Sequence, residues 1–84
     1  MTLIECDSNI PHRVVLLEGG ARFKLRLENL GLSEGKIITK IFSHPFRGPV
    51  TVKIQNTELA IGHGMASRII VERLHETPDP DRKS

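Results

Sequence analysis

The side chains able to ligate a metal or attack an electrophile are few and scattered. One cysteine, Cys6, and four histidines, His12, His44, His63 and His75, are spread along the chain. Metal sites usually draw on close pairs such as C-x-x-C or H-x-x-x-H, where one turn holds two donors together. No such pair occurs here. A ligand set assembled from distant strands, with Asp or Glu added, stays open, but no spacing calls for one. Ser33, Ser43 and Ser67 have no evident base beside them, and Cys6 has no neighbouring His or Lys to lower its pKa. The residues therefore predict no catalytic, cofactor-binding or metal-binding position, and a chain that is not an enzyme.

Two glycine-containing stretches could approach a ligand. Leu30-Gly31-Leu32-Ser33-Glu34-Gly35 is the stretch to test as a phosphate cradle, but it has neither the G-x-G-x-x-G pattern nor the Walker spacing. Helix-stop chemistry explains it better: Gly31 at C′, Leu32 at C″ folding back, and Gly35 in a tight turn. Gly62-His63-Gly64 could press His63 against a ligand; the reading adopted is a tight turn that packs Ala66 beneath the sheet.

Partner recognition is the chemistry best provided for. Ser43 to Pro49 reads Ser-His-Pro-Phe-Arg-Gly-Pro, and its prolines limit the entropy lost on binding. Phe46 and Arg47 are residue types enriched at interfaces, and they are the candidate partner-binding residues. The alternative for Phe46 is burial at the end of the sheet. An exposed sheet edge is a second candidate surface, through strand addition.

These residues must be positioned by a small framework. The chain has 84 residues, enough for one domain and a modest core. With three Phe and no Trp or Tyr, that core rests on Ile, Val and Leu. The first clear strand is His12 to Glu18, ended by Gly19-Gly20. A helix follows over Ala21 to Leu30, with Phe23, Leu27 and Leu30 on one face. Leu25 lies off that stripe, so the helix is expected to cover an end of the sheet. Lys36 to Phe42 reads as a strand with Ile37, Thr39 and Ile41 on one face and Ile38, Lys40 and Phe42 on the other. Val50 to Gln55 alternates, with Val50, Val52 and Ile54 inward; Asn56-Thr57 turns the chain, and Glu58 to Ile61 returns. A short 3-10 turn over Gly62 to Ala66 precedes a last strand, Arg68 to Leu74, with Ile69 and Val71 inward. Leu3 and Ile4 could add a further short strand. The fold expected is all-β: a small barrel of about five to six short strands, with one helix after the first clear strand and a 3-10 turn before the last. The domain is placed at residues 1–76, and Thr77 to Ser84, with two prolines and four charges, as a disordered tail.

The charge balance is +2 with mixed signs and no basic run, unlike the clustered cations of a nucleic-acid binder. No apolar run reaches the roughly 18 residues of a membrane span. Met1 to Ile10 carries Glu5 and Asp7 and lacks the apolar core of a signal peptide. A single cysteine fits a reducing compartment. These point to a cytoplasmic protein, peripheral to the inner membrane only through a partner, without direct membrane insertion, and monomeric or weakly self-associating.

One ordered set of residues is more specific. Arg26-Leu27-Glu28-Asn29-Leu30-Gly31-Leu32-Ser33-Glu34-Gly35 is followed by a strand, a proline-bounded loop, a hairpin, Ala60-Ile61, and then Ala66-Ser67-Arg68-Ile69-Ile70-Val71. This order resembles the FeoA family, small accessory proteins of bacterial ferrous-iron uptake. That family runs R-L-x-x-L-G-L-x-x-G, strand, loop, hairpin, A-I or A-L, then A-x-x-I-x-V. Arg26, Leu27, Leu30, Gly31, Leu32 and Gly35 match the first block; Ala60, Ile61, Ala66, Ile69 and Val71 match the last. The likeness covers Arg13 to Glu72. Gln55-Asn56-Thr57 departs from it where many members have a hairpin glycine, a role Asn56 can fill. The resemblance implies an SH3-like barrel and a partner, the FeoB ferrous-iron permease, whose transport such adaptors modulate. It implies no cofactor, although the link with iron keeps open a transition-metal site of His and carboxylate ligands. The same fold forms the C-terminal domain of metal-dependent repressors similar to diphtheria toxin repressor. A regulatory small barrel, metal-sensing or associated with nucleic acid, is therefore the alternative reading.

Overall fold

Short apolar runs separated by glycine and proline set the order of elements: β1 (Pro11–Leu17), α1 (Ala21–Asn29), β2 (Ile37–Ser43), β3 (Val50–Ile54), β4 (Thr57–Ile61), α2 (His63–Ala66) and β5 (Ile69–Arg73). The computed structural model describes residues 1–74. His75, the end of the domain placed at 1–76, and the tail expected over Thr77 to Ser84 lie outside the described residues.

All pairings are antiparallel, in the order β4-β3-β2-β1-β5. This is the small SH3-like arrangement expected, with one helix after the first clear strand. The sheet does not close on itself: β4 and β5 are its outer strands, and no ladder joins them among the described residues. It curls instead around one core, to which every strand contributes. Val14 and Leu17, Ile38, Val50 and Val52, Ile61, and Ile69 and Val71 are all buried together with Leu27 and Leu32.

The edge of β5 is covered by the chain's first residues. Val71 N–H donates to Met1 O at 2.8 Å and Leu3 N–H to Ile69 O at 2.9 Å, around a Thr2–Ile70 bridge. Leu3 and Cys6 thereby enter the core. Among the described residues, nothing pairs with the outer edge of β4.

The helix stop forms as the sequence predicts. Gly31 sits at φ +92°, where a Cβ would be strained. Its N–H donates to Glu28 O at 3.0 Å, and Leu32 N–H reaches back to Leu27 O at 2.8 Å. These two bonds are those of a Schellman motif, satisfying carbonyls the helix would otherwise leave open. The motif also reassigns the stripe. Leu30 is 44% exposed, while Leu32 is fully buried and belongs to the core in its stead.

Three local features depart from simple alternation. A register shift between Lys40 and Phe42 puts Ile38 and Lys40 inward but turns Phe42 out. The β3–β4 turn is Gln55-Asn56, and it is Gln55, at φ 58°, that takes the left-handed conformation assigned to Asn56. The turn before β5 is α-helical rather than 3-10. Ala66 N–H donates to Gly62 O at 2.9 Å and Ser67 N–H to His63 O at 3.0 Å, each four residues back. Only Arg68 N–H to Met65 O, at 2.9 Å, has the tighter spacing. The wider turn ends with Ala66 fully buried, as its packing role requires.

Candidate functional surfaces

Two surfaces stand out, at opposite ends of β2. That strand has seven residues and spans about 20 Å. α1 precedes it at one end; the Ser43–Pro49 loop follows at the other.

In the loop, Gly48 N–H donates to Pro45 O at 3.3 Å, which closes a four-residue turn with Phe46 and Arg47 at its centre. Both central residues are left-handed, at φ 58° and 64°. Two positive φ values define the mirror-image turn sense in which Gly and Asn predominate. For side chains with a Cβ the left-handed region costs about 1–2 kcal/mol per residue. The conformation presents Phe46 to solvent: it is 97% exposed. Burial of Phe46 at the end of the sheet, weighed in the sequence, does not occur. Nearby, the Phe42 and His44 rings meet edge to face at 4.6 Å, and Phe42 is half-exposed. Arg47 is exposed beside them.

At the other end, α1 and α2 enclose an open cleft of about 680 Å³. Arg22 and Arg26 lie one helical turn apart on α1, and Arg68 faces them from the turn just before β5. Phe23, Leu25 and Met65 line its apolar part. Phe23 and Met65 rest on the core, and Leu25 is 57% exposed. The Arg68 guanidinium lies 5.6 Å from the Phe23 ring centre, within cation–π range. Gly19 is fitted to this wall: a Cβ there would run into the Phe23 ring. Of the motif positions, Arg26 belongs to this cleft, Leu27 anchors α1 in the core, and Ala66 anchors α2. Ala60 is exposed on the outer strand β4.

Sequence reasoning missed this cleft. Arg22 and Arg26 are visible as an i, i+4 pair, but the approach of Arg68 depends on the packing of α2 against α1. It also missed two buried polar side chains. His12 is 1% exposed, with Nδ1 2.8 Å from Ile10 O. Lys40 is 5% exposed and donates from Nζ to Leu3 O at 3.1 Å and Ile4 O at 3.0 Å. Cys6 lies in the same neighbourhood, its thiol 3.5 Å from Leu3 O. Burial pushes the Cys6 thiol above its ordinary 9.0, and the Lys40 charge opposes that rise. His44 and His63 stand on different elements, and among the described residues no three of His, Cys, Asp and Glu converge on one point. No helix among them is long and apolar enough to cross a membrane.

Comparison with known proteins joins the fold to the motif. The FeoA domain pattern matches residues 1–73. The chain belongs to the FeoA family. This FeoA-family chain is 32% identical to an iron uptake regulatory protein (FeoA) of known crystal structure, with a TM-score of 0.80, over 88% of this chain and 97% of that one. It is 26% identical to iron(II) transport protein A from Clostridium thermocellum, again with a TM-score of 0.80, over 88% of this chain and 46% of that one. The manganese-activated repressor ScaR shares the fold, at 22% identity and a TM-score of 0.80, over 88% of this chain and 35% of that one. A comparison with curated protein sequences finds no match. The family is one of ferrous-iron transport, which the ordered motif from Arg26 to Val71 had implied.

Proposed function

We propose that this FeoA-family chain is a cytoplasmic, non-catalytic adaptor that docks on the cytoplasmic part of the FeoB ferrous-iron permease and modulates transport. The observation that carries this reading is family membership over residues 1–73. The exposed Phe46 on a conformationally costly turn supports a role in contact, because strain is retained where surrounding structure and function hold it in place. An 84-residue single core leaves little room for a catalytic cleft, and an adaptor needs neither a cofactor nor a nucleic acid.

Titration of the protein against the cytoplasmic regions of its permease, without nucleotide and with guanosine di- and triphosphate, tests the reading. Saturable binding in at least one state, with altered iron uptake after gene deletion, is the expected result. No binding in any state together with normal uptake overturns it. The likeness to ScaR favours a second reading, a metal-responsive regulatory module, at the level of fold alone. A salt-sensitive gel shift with DNA, or tight ferrous-iron binding by calorimetry, would move the assignment there.

A further inference from the structure

We infer that the cleft between α1 and α2 is a docking site for an acidic segment of a partner protein, one that carries an apolar anchor between its carboxylates. The charge arrangement is the first argument. Arg22, Arg26 and Arg68 surround the cleft, and among the described residues no acidic side chain lines it. The one ion pair among the described residues is Arg13–Glu72 at 3.1 Å, so among these residues no carboxylate pairs with any of the three guanidiniums. Like charges one turn apart on a helix repel. A ligand carboxylate between Arg22 and Arg26 removes that repulsion, and the guanidinium fork can hold it through two parallel hydrogen bonds.

The apolar wall is the second argument, and it separates a protein segment from a bare anion. Phe23 and Met65 are only partly buried and Leu25 is mostly exposed, so the space between the cations is lined by carbon. Phosphate backbones are held by polar donors and cations; an apolar wall adds nothing to such a contact. Aromatic, Met and Arg side chains together are the composition enriched in protein–protein interfaces. A volume of about 680 Å³ accommodates one or two large side chains and their backbone. Gly64 adds room: a Cβ placed there meets no atom within 4 Å.

The inference names a face and a chemistry rather than a particular partner, so it stands or fails apart from the permease reading. It is tested by selecting random 12-residue peptides on the full chain from a display library. The enriched sequences are expected to carry two or more Asp or Glu flanking a Leu, Phe or Met. A synthetic representative should shift the amide resonances of Arg22, Arg26, Met65 and Arg68, and lose at least tenfold in affinity against Arg26→Glu and against Arg68→Glu. Both side chains are exposed, so the variants should stay folded, with Arg68→Glu melting only slightly lower through loss of its contact with the Phe23 ring. Gly64→Leu, which fills the cleft without a charge change, should also block the peptide. Phe46→Ser, at the far end of β2, should not. Failure to enrich any peptide, enrichment without acidic bias, or binding indifferent to the Arg and Gly64 substitutions overturns the inference. So does a twelve-nucleotide oligo-thymidine that binds the cleft more tightly than the peptide, since that would make it a polyanion site.

Discussion

The ammonium of Lys40 donates to the carbonyl oxygen of Leu3 across 37 residues of sequence, at 3.1 Å, from a side chain that is 5% exposed. A second bond, to Ile4 O at 3.0 Å, leaves only one of its three protons without a protein partner. The N-terminal segment is thus attached twice: by its ladder bonds to β5 and by a cation inserted beneath it.

Lys40→Ala should therefore destabilise by about 1–3 kcal/mol, because two carbonyls lose a buried charged donor. The loss should show first as faster hydrogen exchange at the Leu3 and Val71 amides, which join Met1–Leu3 to β5. Uniform exchange across the sheet would argue against this local role.

Gly31→Ala places a Cβ at φ +92°. The expected cost is about 1–2 kcal/mol, read as a lower denaturation midpoint. Gly20→Ala makes a suitable comparison. Gly20 has negative φ, at −78°, and open space around its Cβ position, so its substitution carries no backbone strain and should cost less, only the preference for Gly over Ala at the N-cap of α1.

The Cys6 thiol is 4% exposed and held protonated by burial. It should resist alkylation in the folded protein and react at once in denaturant. The folded state holds its proton to higher pH than the unfolded chain, so stability from this group is fully present below 9.0 and falls as pH rises above it. The stability of the wild type should therefore fall more steeply than that of Cys6→Ala as pH rises through about 9.

Phe46 should separate stability from contact. Its side chain has no packing to lose at 97% exposure, and its left-handed backbone suits glycine. Phe46→Gly should leave the melting temperature unchanged or slightly raised. If the loop contacts the permease, the same variant should bind it at least tenfold more weakly. Unchanged affinity would remove the loop from the interface.

How far these features could be read in advance depended on the range of the interaction. The Gly31–Leu32 helix stop, the β3 alternation and the glycine-bounded strands are local, and their sequence signals are local too. The exposure of Leu30 was hidden because Gly31 redirects the chain just where the helical period would continue. Phe42 was misplaced because a bulge changes the face without any marker residue. Lys40 and His12 look like surface residues by type; their burial depends on what lies above them, tens of residues away in sequence. The docking candidates divided in the same way. Phe46 and Arg47 were visible as interface residue types in a proline-bounded loop, whereas the three-arginine cleft exists only once α2 has packed against α1.

The pairing of β1 with β5 also has a consequence in time. Arg13 is registered with Glu72 and Leu17 with Ile69, so a central strand of the sheet finds one of its neighbours at the far end of the domain. A ribosome adding about 5–20 residues per second takes roughly 3–12 s to cover that separation. Throughout that interval Val14 and Leu17 are without the Ile69 and Val71 they pack with in the finished core. The nascent chain therefore cannot complete this sheet until β5 has been made. Premature termination before β5 should leave an aggregation-prone fragment rather than a smaller working domain.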